Sequence, residues 1–103
     1  MLLYFYHYEF TKGEITEKAV EVTETAKTYR SATEESLPWL YKTRMSKEEL
    51  RVTFGGGFGF TYVSDVQDMD AVRKIFMDIC EEKRKHAAAD AEMWKERLNG
   101  IRE

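Results

Sequence analysis

The sequence predicts an α+β domain, in which an antiparallel sheet of four or five strands precedes one bent helix or two helices. In the first part of the chain, aromatic and apolar residues alternate with polar ones, the period of half-buried strands. From Asp68 onward apolar residues recur at steps of three and four, the period of an amphipathic helix. Ser64, Asp65 and Asp68 are candidate N-caps. We assign residues 1–64 to the sheet region and residues 65–103 to the helical region of a single domain.

Two strands, and a third strand or a bend, are expected before residue 33. Leu2 to Phe10 is rich in aromatic residues on both faces of a pleat, which favours a strand. Lys12-Gly13 fits a two-residue hairpin turn, and Ile15 to Thr25 then predicts a partner strand with one half-solvated face. Lys27 to Ala32 is expected to continue as a short strand or a bend.

Two further strands and one helical turn are expected before the helices. Trp39 to Met45 alternates with the period of a strand. Ser46-Lys47-Glu48-Glu49 has the spacing of a capping box and predicts one helical turn. Phe58 to Val63 predicts the last strand, and Gly55-Gly56-Gly57 supplies a tight turn before it. A phosphate-binding loop is excluded, because its glycines precede a helix and are followed by Gly-Lys-Ser or Gly-Lys-Thr.

The helical region carries one apolar stripe that only Lys83 interrupts. A single helix of this length would extend about 45–50 Å at 1.5 Å per residue, which exceeds what a small sheet covers. The chain therefore bends near Lys85-His86 into two helices, or its distal half packs on another subunit. We expect a homodimer or higher oligomer through the helices; the alternative is a stripe that folds back onto the domain's own sheet. The predicted interface residues are Phe76, Ile79, Trp94, Leu98 and Ile101.

Composition narrows the functional classes. The 103 residues suffice for one domain, and 43% hydrophobic residues suffice for a packed core. The net charge is −3, whereas a nucleic-acid-binding domain usually carries an excess of basic residues. A single cysteine fits a reducing compartment. No run approaches the roughly 20 apolar residues of a membrane span, and the apolar start lacks the basic region of a signal peptide. We expect a cytoplasmic protein without a membrane segment.

Catalysis and metal binding find little support in the sequence. His7 and His86 have no Cys, His or carboxylate at a standard ligand spacing. Cys80 lies on the apolar side of a helix, so we expect a small core residue rather than a reactive thiol. The paired acids Glu34-Glu35 and Glu48-Glu49 belong to polar turns, whereas acid–base catalysis needs carboxylates in a water-poor cleft. We therefore expect no enzymatic activity, no metal and no cofactor.

A cluster of cations in the sheet region is the better candidate for a binding site. Its members are Lys27, Arg30, Lys42, Arg44 and Arg51. Arg30 follows Tyr29, and Arg44 belongs to the predicted strand that contains Trp39. Arginine beside aromatic rings holds planar anionic ligands such as nucleotides by bidentate bonding and stacking. The alternative is a set of solvated surface cations. The candidate ligand-binding residues are Arg30, Lys42, Arg44, Phe58 and Tyr62.

One short motif raises the alternative of RNA binding. Gly57-Phe58-Gly59-Phe60 resembles the core of the RNP1 motif of RNA-recognition domains, in which aromatic residues of a sheet stack on bases. Gly56 and Thr61 depart from that motif at its basic and apolar positions. The other interpretation is a glycine-rich turn that leads into an aromatic strand whose rings fill the core. We expect at least Phe60 to be buried.

Two stretches carry a further resemblance: LLYFYHYEFTKGEITEKAVEVTETAKTYR (Leu2–Arg30) and VSDVQDMDAVRKIFMDICEEK (Val63–Lys83). They resemble small proteins encoded by phages and prophages of Firmicutes. The order of strands then helices is also similar to that of anti-Thoeris phage proteins, which sequester a cyclic ADP-ribose signal. The resemblance implies a non-enzymatic phage anti-defence protein that binds a small nucleotide immune signal in the infected host cell. The alternative is an anti-CRISPR-like protein that uses its helix Asp78–Glu96 to inhibit a host defence nuclease. RNA binding through the Phe58–Tyr62 strand is the third hypothesis.

Overall fold

A computed structural model describes residues 1–55, 58–86 and 91–102. Within these residues, six antiparallel strands form one sheet, and two helices pack against one of its faces. The predicted α+β class is confirmed, and the predicted four or five strands undercount the sheet slightly. The strands are β1 (Leu2–Glu9), β2 (Glu14–Glu24), β3 (Thr28–Ser31), β4 (Arg44–Ser46), β5 (Thr53–Gly55) and β6 (Gly59–Ser64), and the helices are α1 (Met69–His86) and α2 (Ala91–Arg102).

Strand β1 lies inside the sheet, whose order is β4-β3-β2-β1-β6-β5. It pairs with β2 from Leu2↔Glu21 to Glu9↔Glu14, and with β6 on its other side. Both of its faces are covered: Leu3 and Phe5 are buried on one, Tyr6 and Tyr8 on the other. A strand that is buried on both faces needs apolar residues at consecutive positions. This explains the unbroken aromatic run at the start of the chain.

The turn between β1 and β2 is longer than predicted. The terminal pair Glu9↔Glu14 leaves four residues in the loop rather than the two of Lys12-Gly13. Gly13 adopts a φ of +66°, in the left-handed region that glycine enters without a steric cost, and its N–H donates to the Glu9 carbonyl at 2.8 Å. Phe10 remains available to pack against the core below the helices. The position of the glycine was predicted correctly, and the length of the turn was wrong.

The helices cover one face of the sheet and create the larger of two hydrophobic cores, which we call the helix-face core. Its buried members are Tyr6, Tyr8, Phe60, Val72, Phe76, Cys80, Trp94, Leu98 and Ile101. The Trp94 ring is stacked on Phe60 at an interplanar angle of 8°, with ring centroids 6.0 Å apart. The Tyr8 hydroxyl donates to the Arg97 carbonyl at 3.2 Å. Aromatic residues of β1 and β6 thus provide the surface on which both helices pack.

This packing answers the question of where the apolar stripe is buried. Phe76, Trp94, Leu98 and Ile101 are buried within the chain's own core, and Ile79 packs against that core. The stripe folds back onto the domain's own sheet, so the burial argument that made these residues a subunit interface does not hold. The sheet can cover both helices because they pair with each other as a hairpin instead of extending as one rod.

The helix boundaries follow local hydrogen bonds. Among the three candidate N-caps, Asp68 caps α1: its Oδ1 accepts from the Ala71 N–H at 3.0 Å. The Tyr6 hydroxyl accepts from the Asp68 N–H at 3.0 Å, which ties the start of α1 to β1. The chain forms two helices, as the prediction of a bend near Lys85-His86 had it. Helix α1 continues to His86, and the connection at residues 87–90 lies outside the described residues. Within the described part, no helix is long and apolar enough to cross a bilayer.

The second core, which we call the loop-face core, lies on the other face of the sheet. Its buried members are Leu3, Phe5, Val22, Tyr29, Leu37, Met45 and Val63. Residues 32–43, here called the covering segment, contribute Leu37 to this core along with the half-buried Trp39 and Leu40. The segment is closed by a hydrogen bond from the Leu37 N–H to the Lys42 carbonyl at 2.8 Å. It forms turns rather than a strand.

The predicted strand from Trp39 to Met45 was therefore wrong over most of its length. Trp39 and Tyr41 have φ values of +62° and +56°, which no β-strand accommodates. The strand β4 begins only at Arg44. By contrast, the predicted capping box is confirmed: the Ser46 hydroxyl accepts from the Glu48 N–H at 3.2 Å, and the Glu49 carboxylate accepts from the Ser46 N–H at 3.3 Å. It opens a short 3₁₀ turn, Lys47–Glu49.

The glycine triplet is described only in part. Gly55 is the last residue of β5, a strand that was not predicted because it is three residues long. The predicted tight turn at Gly56-Gly57 lies outside the described residues. Strand β6 begins at Gly59, and the Phe10 N–H donates to the Phe58 carbonyl at 2.9 Å just before it. The last predicted strand is therefore confirmed to within one residue at each end.

Candidate ligand-binding cleft

A cleft with a volume of about 660 Å³ opens on the face of the sheet opposite the helices, beside the loop-face core. Its floor is one row of residues that the strand register places side by side on β2, β1, β6 and β5: Thr16, His7, Thr61 and Phe54. His7 Nδ1 and Thr61 Oγ1 are hydrogen-bonded at 2.9 Å. The floor therefore presents two hydroxyls, an imidazole and an aromatic ring within four neighbouring strands.

Gly59 allows the floor to form. A Cβ atom at this position would lie 2.0 Å from the Tyr8 carbonyl oxygen and 3.2 Å from His7 Cε1. Since real Cβ atoms do not approach backbone oxygen closer than about 3 Å, every larger residue would push β6 away from β1. Glycine at position 59 lets the two strands lie together and leaves room for the His7 ring.

Trp39 forms one wall and anchors the covering segment on the floor. Its ring is stacked on His7 with centroids 5.0 Å apart and an interplanar angle of 14°. Lys18 Nζ lies 5.0 Å from the centroid of the same ring, within the range of a cation–π contact. The hydrogen bond between His7 and Thr61 holds the ring that Trp39 packs on, so the floor and the wall support each other.

The backbone of this wall is strained. Left-handed φ values at non-glycine residues cost on the order of 1–3 kcal/mol each, and they concentrate at binding and active sites. Among the described residues they occur at Trp39 and Tyr41, two residues apart on the rim of the cleft, and at Arg51, which does not line it. The Tyr41 side chain is 92% exposed, and Phe58, which also lines the cleft, is 81% exposed. The chain thus holds two large aromatic rings in solvent around the opening.

Both signs of charge line the cleft. Lys12 and Lys18 provide the cations, and Glu9 and Glu14, which pair directly across β1 and β2, provide the carboxylates. Lys12 Nζ lies 3.4 Å from a Glu9 carboxylate oxygen. Burial lowers the pKa of His7 below its usual value, against an opposing effect of Glu9. The imidazole is therefore neutral at pH 7, which suits stacking and hydrogen bonding rather than charge pairing.

The five predicted ligand-binding residues do not form one site. Arg30 and Arg44 are directly opposed on β3 and β4, so they share a face. Because Arg30 alternates with the buried Tyr29, that face is the one away from the cleft. Lys42 forms a salt bridge with Glu49 at 2.8 Å. Of the five, only Phe58 lines the cleft; Tyr62 is half-buried against the helix-face core.

The predictions about Phe60 and Cys80 are confirmed. Phe60 is 2% exposed and faces the helices, as does Tyr62. These rings of β6 therefore do not form the open stacking platform that the RNP1-like motif suggested. Cys80 is completely buried, and burial raises the pKa of its thiol to about 11. This keeps the thiol protonated and unreactive at neutral pH.

The cleft combines stacking surfaces, cations and neutral hydrogen-bonding groups. Such a set can bind a small planar molecule that carries negative charge. In the described part of the chain, no group of three or more His, Cys, Asp or Glu residues is placed to hold a metal ion. Comparisons with protein families, with characterised proteins and with solved structures found no match for this chain.

Proposed function

We propose that this protein is a non-enzymatic binding protein whose cleft takes a small planar anion of the nucleotide class. The observation that carries the proposal is the strained Trp39 wall, which is stacked on His7 and presents Tyr41 to solvent. The volume of the cleft, about 660 Å³, falls within the range of roughly 300–1,000 Å³ that is usual for small-molecule sites. Rings held in solvent at a cost in backbone energy are best explained by a ligand that covers them.

Each part of a nucleotide has a chemically suited group in the cleft. A base is suited to stack on the exposed rings of Tyr41 and Phe58, since every base has a π-face. Phosphate oxygens suit the ammonium groups of Lys12 and Lys18. Ribose hydroxyls can donate hydrogen bonds to the hydroxyl of Thr16 and to the carboxylates of Glu9 and Glu14, which also line the cleft. The mixed charges favour a ligand with a sugar beside its phosphate over a simple inorganic anion.

We further propose that binding serves to sequester a nucleotide immune signal during phage infection. This step is based on the resemblance of Leu2–Arg30 and Val63–Lys83 to phage and prophage proteins, and on the strand-then-helix order shared with anti-Thoeris proteins. A sequestering protein needs affinity and abundance but no catalytic group, which suits a cleft with a neutral histidine and hydroxyls. The site of action is the cytoplasm of the infected bacterium.

The test is thermal stabilisation by a panel of cyclic ADP-ribose isomers and cyclic dinucleotides. A ligand that binds only the folded state at 100 times its Kd adds about 2.7 kcal/mol to the free energy of unfolding, which raises Tm by several degrees. We expect at least one member to do so and to be recovered chemically intact afterwards. Tyr41→Gly, which also suits the left-handed φ, and Lys18→Gln should weaken the effect.

The matched control is Lys74→Gln, which removes the same charge from an exposed position of α1. It should leave the stabilisation unchanged. The proposed function is refuted if no member of the panel raises Tm. It is also refuted if the cleft variants respond to the ligand as wild type does, or if the ligand is converted to a product.

A further inference from the structure

A second surface lies on the opposite side of the sheet, where β3 and β4 extend beyond the helices. Arg30 and Arg44 are directly opposed there, and Thr23 on β2 is the neighbour of Arg30 on its other side. Directly opposed residues have Cβ atoms about 4.5–5.5 Å apart, so the two guanidinium groups can reach one common point. All three residues are exposed to solvent. We propose that Arg30 and Arg44 form a binding site for a dianionic phosphate group.

Arg30 and Arg44 differ from several other cations of the sheet region in having no ion pair. Lys18 and Lys27 likewise have none among the described residues, so what sets the two arginines apart is that they are directly opposed. Lys42 pairs with Glu49, Lys47 with Glu24 and Arg51 with Asp65. Within the described ranges, no carboxylate lies within 4.0 Å of either Arg30 or Arg44. Like charges directly opposed across two strands repel and destabilise the sheet. An external anion relieves that repulsion, whereas Lys42, Lys47 and Arg51 are already neutralised by carboxylates of the chain.

Charge balance identifies the anion. Each guanidinium offers a planar fork of donors that matches two oxygens of a phosphate or carboxylate. A single carboxylate carries one charge and is satisfied by one fork. A phosphate monoester carries about −1.5 to −2 at pH 7 and has three oxygens available, which matches two forks. The chain's net charge of −3 disfavours a long polyanion such as nucleic acid. The site therefore suits one phosphate monoester.

This site is independent of the proposed function. The arginine pair and the cleft occupy opposite faces of the sheet, so one small nucleotide cannot contact both. A phosphate bound at Arg30 and Arg44 therefore belongs to a different molecule, or to a remote part of a large one. Variants of the arginine pair should leave nucleotide binding in the cleft unchanged, and cleft variants should leave phosphate binding unchanged. The two proposals can fail separately.

The experiment is a titration of the full chain with inorganic phosphate at constant ionic strength, followed by ¹H–¹⁵N NMR. We expect saturable shifts at the backbone amides of β3 and β4 and at the Nε–H groups of both arginines. Arg30→Gln and Arg44→Gln should each weaken phosphate binding at least tenfold. Arg73→Gln, which removes the same charge from an exposed position of α1, is the matched control and should bind as wild type does.

Three results would overturn the proposal. Shifts that grow linearly without saturation, or that spread over the whole surface, would mean that phosphate acts only as a general salt. Equal weakening by Arg73→Gln would mean that net charge, not the arginine pair, governs binding. Equally tight binding of acetate would contradict the assignment to a dianion. Intact spectra of the glutamine variants before titration confirm that a loss of binding is not a loss of fold.

Discussion

Gly59→Ala is the substitution that most directly tests how the floor of the cleft is built. The added Cβ would lie 2.0 Å from the Tyr8 carbonyl oxygen, whereas an unstrained contact needs more than 3 Å. Strands β1 and β6 must therefore separate by about 1 Å at the pair Glu9↔Gly59. The side chain that fills this space without strain is the single hydrogen of glycine.

The magnitude follows from two costs. Overpacking of a rigid contact costs about 1–3 kcal/mol, and one or two weakened strand hydrogen bonds add about 1 kcal/mol each. The sum of about 2–5 kcal/mol is a large part of the roughly 5–15 kcal/mol that stabilises a typical domain. At an m-value of about 1.5 kcal/mol/M, the urea midpoint should fall by roughly 1–3 M.

The assay is urea denaturation followed by tryptophan fluorescence and far-UV circular dichroism. Gly100→Ala is the control, because it should raise the free energy of unfolding, whereas Gly59→Ala should lower it. Gly100 lies within α2 with no atom within 4 Å of an added Cβ, so alanine should raise stability by about 0.5–1 kcal/mol. If Gly59→Ala unfolds at the wild-type urea concentration, β6 does not lie against β1 in this register, and the floor of the cleft is not formed as described.

Three further predictions concern single side chains. Burial lowers the pKa of His7 below its usual 6.5, so just below that pH the unfolded chain binds more protons than the folded chain, and the free energy of unfolding should fall as the pH drops below 6.5. Urea titrations at several pH values should show this fall in the wild type and a smaller fall in His7→Gln. The Cys80 thiol, with a pKa of about 11, should react with a thiol reagent only after urea unfolds the chain; fast reaction of the native protein would contradict its burial. Phe60→Ala should cost about 3–5 kcal/mol, while Phe58→Ala should change stability by less than about 0.5 kcal/mol; similar costs would contradict the burial of Phe60 and the exposure of Phe58.

Local patterns were sufficient for most of the fold. The aromatic run of β1, the capping box at Ser46 and the helical period after Asp68 each depend on residues close in sequence, and each is confirmed. The alternating pattern from Trp39 to Met45 misled, because alternation does not report φ and both Trp39 and Tyr41 take left-handed backbone conformations. That choice depends on tertiary contacts, chiefly the stack of Trp39 on His7.

The candidate site was harder to predict because it depends on register. His7 and Thr16 lie on the two strands of one hairpin, but the two-residue turn expected at Lys12-Gly13 gives a different register, so the sequence does not pair them. Thr61 comes from β6, far along the chain. One usable signal was present: His7 follows Leu3 and Phe5 on the same face of β1, so a polar group ends an apolar row. Arg30 and Arg44 were recognised by residue type, but their direct opposition emerges only from the pairing of β3 with β4.

The position of the cleft follows from where the loop-face core ends. On this face of β1, Leu3 and Phe5 are buried in the loop-face core, to which the covering segment also contributes. The next residue on the same face is His7. Trp39, which packs against that core, lies on His7, and beyond it the cleft opens on the sheet. Trp39 is therefore both the edge of a core and the wall of the cleft. A ligand that packs against this wall also stabilises the covering segment, so ligand binding and the stability of the loop-face core should be coupled through this one residue.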